Sequence, residues 1–137
     1  MTNQTSERYE CEKGSPGRAR RFCSEVLRRA LGDNSRSREV IDDAELVVSE
    51  LITNAIDADC GGVELTVTVA TDGAVRIEVV DDALGLPQEA VVPSSAQRGR
   101  GLALVAALST RWGYEKKPRG KRVWAELPAR RAGLTSA

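Results

Sequence analysis

Two polar residues four positions apart, Glu50 and Asn54, form a pair that could carry chemistry. In a helix, residues at this spacing lie on one face. A carboxylate beside an amide can polarise a hydroxyl group and ligate a divalent cation through oxygen. Asn is a poor helix former whose amide needs partners near a core, so an amide tied to a neighbouring loop is the structural alternative.

A second candidate is Asp81, which ends an alternating apolar stretch and is followed by Gly85. A carboxylate at a strand end can accept a hydrogen bond from an exocyclic amine, and glycine lets the backbone approach a flat ligand closely. An ordinary acidic turn explains both residues equally well.

The third candidate is the run Gly99, Arg100, Gly101 and Leu102, which precedes a helical pattern. Amide groups and the dipole at a helix N-terminus favour phosphate, and Arg100 adds positive charge. The run is not a Walker motif, because no Gly-Lys-Ser/Thr follows it. A flexible turn before a helix is the alternative.

The composition restricts the classes of function. A chain of 137 residues, 41% of them hydrophobic, fits one globular domain, and the absence of His leaves carboxylates and Lys as the main candidates for a general base. With 4% aromatic residues, a surface that stacks single-stranded nucleic acid is hard to assemble. No membrane span or signal peptide is visible, so we expect a cytoplasmic protein that contacts neither membrane nor nucleic acid directly.

The spacing of the cysteines and the distribution of charge give two further expectations. Cys11, Cys23 and Cys60 cannot all pair and match no zinc spacing, so we expect buried small residues. Residues 41–95 carry 12 acidic and 1 basic side chains, whereas residues 96–137 carry 10 basic and 2 acidic ones. These two segments could pair within the fold, face different partners, or form solvated surfaces.

Hydrophobic periodicity predicts the elements that position the motifs. Together they predict an α/β (α+β) two-layer sandwich over residues 8–128, with helices on one face of the sheet and flexible residues at 1–7 and 129–137. We expect three helices: one from an N-cap at Ser15 to Leu31, a longer one from near Ser37 to about Asp59, and a short one from about Gly101. The expected strands are a hairpin over 63–69 and 75–79, a pair near 111–115 and 121–127, and a weakly signalled strand over 8–12. Residues 82–98 are expected to form a loop.

The three candidates, in this order and at these separations, resemble the GHKL nucleotide-binding superfamily, and in particular its small anti-sigma-factor serine kinases and their regulatory relatives. The resemblance covers about residues 8–128 and implies a Bergerat-type sheet, mixed but largely antiparallel. The segments that carry it are residues 15–22, 45–55, 99–105 and 123–127.

The resemblance implies a role for each candidate residue. Glu50 is expected to be the general base and Asn54 the Mg²⁺ ligand, while Asp81 holds the adenine amine of ATP. Gly85 is expected beside the base. The run from Gly99 through Arg100 and Gly101 to Leu102 is expected to contact the phosphates in a segment that closes over ATP.

The resemblance also implies an activity and partners. Such proteins hold a sigma factor inactive, bind an anti-anti-sigma protein of the STAS type and phosphorylate a serine on it; dimerisation is common among the kinases. Ala58, Ala83 and Lys121 depart from residues that are usual in the family, which leaves a catalytically inactive nucleotide-binding adaptor as the alternative.

Overall fold

Five strands form one sheet, and the helices cover one of its faces. The computed structural model describes residues 3–58, 60–83 and 96–128, without the side chains of 96–101. The strand order is β1-β2-β3-β5-β4, every neighbouring pair is antiparallel, and the expected two-layer α+β sandwich is confirmed. The elements are β1 (Asn3–Glu10), α1 (Ser15–Leu31), α2 (Ser35–Asp57), β2 (Gly62–Val69), β3 (Val75–Asp81), α3 (Ala96–Leu108), β4 (Arg111–Lys116) and β5 (Lys121–Leu127).

The first helix starts one residue before the position that the sequence pattern predicts. Gly14 is the N-cap, and Ser15 is already helical. The Ser15 hydroxyl donates to the carbonyl oxygen of Glu10, which ties the start of α1 to the end of β1. Pro16 stands in the first turn, where its missing N–H costs no helical hydrogen bond.

The second helix is the longest in the described part of the chain, with 23 residues. It begins at a reciprocal capping box: the Asn34 side chain accepts from the Ser37 amide at 2.9 Å, and the Ser37 hydroxyl accepts from the Asn34 amide at 3.0 Å. Its apolar side chains recur at helical spacing and face the sheet. The buried ones are Val40, Ile41, Ala44, Val47, Val48, Leu51, Ile52 and Ala55.

The inner face of the sheet supplies the other half of the core. Alternation along β2, β3 and β5 turns every second side chain toward the helices. Burying each valine, leucine or isoleucine contributes about 1.5 to 3 kcal/mol. The inward apolar residues of these strands are Val63, Leu65, Val67, Val69, Val75, Ile77, Val79, Val123, Ala125 and Leu127.

The outer face of the sheet is polar and carries ion pairs. Glu126 accepts hydrogen bonds from Arg111 at 2.8 Å and from Arg76 at 2.7 Å; these bonds, the one from Arg111 above all, hold the pKa of the Glu126 carboxyl below its usual value. Arg122 lies 3.5 Å from Glu78. Part of the basic end of the chain therefore pairs within the fold with the acidic middle.

Two elements extend beyond their expected limits. β1 begins at Asn3 and pairs along its whole length with β2, so residues 3–7, expected outside the domain, belong to the sheet. α3 begins at Ala96, five residues before the expected start, because Ala, Gln and Arg all favour helical backbone. The expected tail at 129–137 lies outside the described residues.

None of the helices in the described part of the chain combines the length and the apolar character that crossing a membrane requires.

The structure corrects the expectation for two of the three cysteines. Cys11, just after β1, and Cys60, just before β2, form a disulfide with Cα atoms 5.8 Å apart. Their separation of 49 residues gave no spacing signal, since disulfide connectivity cannot be deduced from sequence alone. Cys23 is a free, buried residue, as expected, and burial raises its pKa to about 12.

Breaking this disulfide should destabilise the protein. In the loop-entropy account, a bridge across 49 residues contributes about 4 kcal/mol. Urea unfolding of Cys60→Ser under oxidising conditions should show a loss of that order, and wild-type protein in excess reductant should match the variant. If oxidised wild type and Cys60→Ser unfold at the same urea concentration, the bridge contributes nothing.

The turn before β5 depends on one glycine. Gly120 has φ +93°, and a Cβ there would lie 1.8 Å from the carbonyl oxygen of Asp81. Only glycine therefore allows the β4–β5 turn to pack against the end of β3.

Gly120→Ala should lower the free energy of unfolding by at least about 2 kcal/mol, because it combines backbone strain with a clash against backbone. The matched control is Gly17→Ala in α1, where the nearest atom to a new Cβ is the flexible Arg20 guanidinium at 3.6 Å. That control should be neutral or stabilising by up to about 1 kcal/mol. Equal effects of the two substitutions on thermal unfolding would contradict this account of the turn.

Candidate functional site

The second helix places the two candidate chemical residues one turn apart. Asn54 is 6% exposed and Glu50 is half-buried, so both lie at the border of the apolar stripe of α2. The Glu50 carboxylate forms no salt bridge with any described residue. Asn54 lies in the last turn of α2, close to the point where the chain leaves the helix for β2.

Asp81 ends β3 with its side chain turned into the protein. Its Oδ1 accepts a hydrogen bond from the Ala83 amide at 2.9 Å, which fixes the orientation of the carboxylate. Its Oδ2 lies 2.9 Å from the Nζ of Lys121, the directly opposite residue on β5. Both side chains are 1% exposed.

The sequence pattern does not reveal that Lys121 is buried and paired with Asp81. This residue was visible only as a departure from the family pattern, and a lysine in an alternating strand is ordinarily exposed. The ammonium and the Asp81 carboxylate are adjacent but not aligned as a hydrogen bond, and neither Nζ nor Oδ2 has another partner among the described residues.

Asp82 ties the end of β3 to the start of β2, a role that the sequence pattern does not indicate. Its Oδ1 accepts from the Gly61 amide at 2.7 Å and its Oδ2 from the Gly62 amide at 3.2 Å. These bonds hold the pKa of the Asp82 carboxyl below its ordinary value of 3.8, the bond from Gly61 being the larger cause. Gly61 immediately precedes β2 and Gly62 is its first residue, so this clamp ties the end of β3 to the start of β2.

The remaining candidate residues are Gly85 and the run from Gly99 to Leu102. Gly85 lies outside the described residues. The backbone at Gly99, Arg100 and Gly101 is helical, and Leu102 is buried in the core. The first amide of α3 that donates within the helix is that of Gly99, so the amides of residues 96–98 lack helical partners. Phosphate contact at this helix start is therefore expected nearer Gly99 than Leu102.

A match to a family model decides the family. The model described as "Histidine kinase-, DNA gyrase B-, and HSP90-like ATPase" matches residues 39–131, which include all the candidate residues. The chain belongs to this ATPase family. The match begins near the start of α2 and runs beyond the end of β5.

Solved structures share the fold. The RsbU and RsbW domains of Rv1364c from Mycobacterium tuberculosis superpose with a TM-score of 0.67 at 20% identity, over 93% of this chain and 34% of that one. The histidine kinase domain of the Erythrobacter litoralis EL346 blue-light activated histidine kinase gives 0.52 at 20% identity, over 83% and 61%.

One curated relative shares a shorter segment. The DNA mismatch repair protein MutL of Lactococcus lactis subsp. cremoris (strain SK11) is 42% identical over 65 residues, which are 47% of this chain and 10% of that protein. The chain therefore spans only a small part of the length of this curated relative.

The residues of the site fit a purine nucleotide and a magnesium ion. The buried Oδ2 of Asp81 and Nζ of Lys121 offer an acceptor and donors that lack aligned partners. The described residues contain no cluster of three or more acidic or thiol side chains that could hold a metal by themselves. Mg²⁺ usually takes one or two protein ligands together with phosphate oxygens and water, and an amide oxygen is a suitable ligand for it. Asn54 is the residue here that would hold it.

The clamp at Asp82 predicts a pH dependence of stability. A carboxyl whose pKa is lowered by folding stabilises the protein above its unfolded pKa, and this contribution is lost as the pH falls through the folded pKa. Asp82→Asn should therefore be less stable than wild type near neutral pH, and the difference should shrink below about pH 4. Urea unfolding at several pH values measures both.

The control is Asp42→Asn, an exposed position on α2. It should leave stability nearly unchanged at every pH. A wild-type advantage over Asp82→Asn that stays constant down to low pH would show that the charge of Asp82 does not hold this loop.

Proposed function

We propose that this chain binds ATP with Mg²⁺ and acts as an ATP-dependent protein serine/threonine kinase of the anti-sigma-factor type. The observation that carries the proposal is the juxtaposition of two separate elements. The Asp82 clamp ties the end of β3, which bears Asp81, to the start of β2, and α2, which bears Asn54, packs against β3. Membership of the ATPase family supports a nucleotide as the ligand.

Each residue has a distinct task in the proposed complex. Asp81 accepts a hydrogen bond from the 6-amino group of adenine, with Gly85 beside the base. Asn54 supplies the protein ligand to Mg²⁺. Backbone amides at the start of α3, next to Gly99, meet the phosphates together with the Arg100 charge.

The proposed reaction transfers the terminal phosphoryl group to a serine of the partner. The serine oxygen forms a bond to the terminal phosphorus, the bond to the bridging oxygen breaks, and ADP leaves. Glu50 orients the attacking hydroxyl and takes its proton. When bound, Mg²⁺ neutralises charge on the phosphates.

The proposed partners are a STAS-type anti-anti-sigma protein, which receives the phosphate, and a sigma factor, which is sequestered. The motif segments at residues 15–22 and 45–55 support these partners through their resemblance to the anti-sigma-factor kinases. The fold shared with a structure that includes an RsbW domain is consistent with them.

One observation favours a second candidate, a nucleotide-binding adaptor without catalysis. The Asp81 carboxylate is already approached by the Lys121 ammonium at 2.9 Å, and Ala83 is buried where glycine is usual in the family. Both features alter the nucleotide site without touching Glu50. A nucleotide held differently from the family pattern would not place its terminal phosphate for transfer, which favours the adaptor.

Phosphoryl transfer separates the two candidates. Full-length protein is incubated with γ-labelled ATP, Mg²⁺ and a panel of STAS-domain proteins, while nucleotide affinity is measured by isothermal titration. Glu50→Gln should reduce transfer by about 10²- to 10⁴-fold with little change in affinity, because it removes the base and not a nucleotide contact. Asp81→Asn should weaken ATP binding by at least about fivefold, since it leaves a buried polar group unpaired.

The matched control is Glu25→Gln, an exposed glutamate on α1, which should leave both measurements unchanged. Wild-type protein that binds ATP without labelling any STAS protein would favour the adaptor. Wild-type protein that binds no nucleotide would overturn the proposal.

A further inference from the structure

The ion pair between Asp81 and Lys121 has hydrogen-bonding capacity that the fold does not use. Both side chains are 1% exposed, and Nζ lies 2.9 Å from Oδ2. Yet neither atom has an aligned hydrogen-bond partner among the described residues. Buried polar groups in folded proteins almost always find such partners, so this pair calls for one from outside the described fold.

The surroundings limit what that partner can be. Asp81 Oδ1 already accepts from the Ala83 amide, so Oδ2 is the carboxylate oxygen that remains. Lys121 carries three donors and no acceptor. The Gly120 backbone packs so closely against the end of β3 that a Cβ there would lie 1.8 Å from the Asp81 carbonyl oxygen, so the two charged residues lie at a closely packed strand end. The unused groups are therefore one acceptor and a donor beside it.

This arrangement complements the edge of adenine. Along that edge the 6-amino group donates and the neighbouring ring nitrogen N1 accepts. Because Asp81 and Lys121 are directly opposite on adjacent strands, their polar ends can meet neighbouring atoms of one flat ring.

Building on the proposed binding of ATP, we infer that Lys121 is a second base-reading residue. Its ammonium donates to N1 of adenine while Asp81 Oδ2 accepts from the 6-amino group. The base then supplies the aligned partners that both groups lack. Lys121 thereby acts as a specificity-determining residue rather than a purely structural counter-ion.

The pair also selects against purines that carry a 6-oxo group. In the same orientation, guanine or hypoxanthine presents a carbonyl oxygen to the Asp81 carboxylate and an N1–H to the Lys121 ammonium. Both contacts are then repulsive. Two oppositely charged readers therefore discriminate more strongly than a carboxylate alone.

The test changes one atom of the ligand. Isothermal titration compares Mg-ATP with Mg-1-deaza-ATP, in which N1 is replaced by CH while the 6-amino group is kept. Wild-type protein should bind the deaza analogue about tenfold to a hundredfold more weakly, the range for a lost hydrogen bond to a charged group. Lys121→Met should lose this discrimination, and ITP should bind wild type far more weakly than ATP.

The matched control is Lys116→Met, an exposed lysine on β4 opposite Lys121, which should keep the full discrimination. Equal binding of ATP and 1-deaza-ATP to wild type overturns the inference and leaves ATP binding standing, even if Lys121→Met fails to fold. Tighter ATP binding by Lys121→Met, or a wild-type preference for ITP, also overturns it. Absence of any ATP binding overturns both this inference and the proposed function.

Discussion

The packing of α2 against the inner face of the sheet is the contact on which the candidate site depends. The apolar stripe of this helix is buried along its length, so its rotation about its own axis is fixed. Glu50 and Asn54 lie at the border of that stripe and take their orientation from it. A polar pair on a helix free to rotate would have no defined relation to Asp81. The hydrophobic layer therefore sets the geometry of the polar chemistry.

Asp81 and Asp82, at the end of β3, have different roles because their side chains point to opposite sides of the strand. Successive side chains point to opposite sides, so Asp81 enters the interior beside Lys121 while Asp82 stays exposed and holds the Gly61 and Gly62 amides. The inner carboxylate pairs with the Lys121 ammonium, while the outer one holds the loop that leads into β2. A shift of one residue in the register of β3 would exchange the two.

Much of the fold follows from local patterns in the sequence, and the parts that do not follow depend on distant contacts. Periodicity predicted both long helices, the central hairpin and the final strand pair, because each buries one regular face. The disulfide between Cys11 and Cys60 and the pairing of Asp81 with Lys121 join residues 49 and 40 positions apart, and no local pattern encodes such pairs. The start of α3 at Ala96 differs from the expected one because Gly99 and Gly101 resemble a helix boundary, although glycine only weakens a helix.

The two tryptophans of the chain lie on opposite faces of the sheet. Trp112 packs against the hydrophobic core, whereas Trp124 lies on the outer face under the Arg76 guanidinium, 4.5 Å from the centre of its ring. Arg111 approaches the same ring at 5.9 Å. The chain therefore contains two intrinsic fluorophores in different environments. Single-tryptophan forms would let emission spectra follow the helix-covered layer and the open face of the sheet separately, without an attached dye.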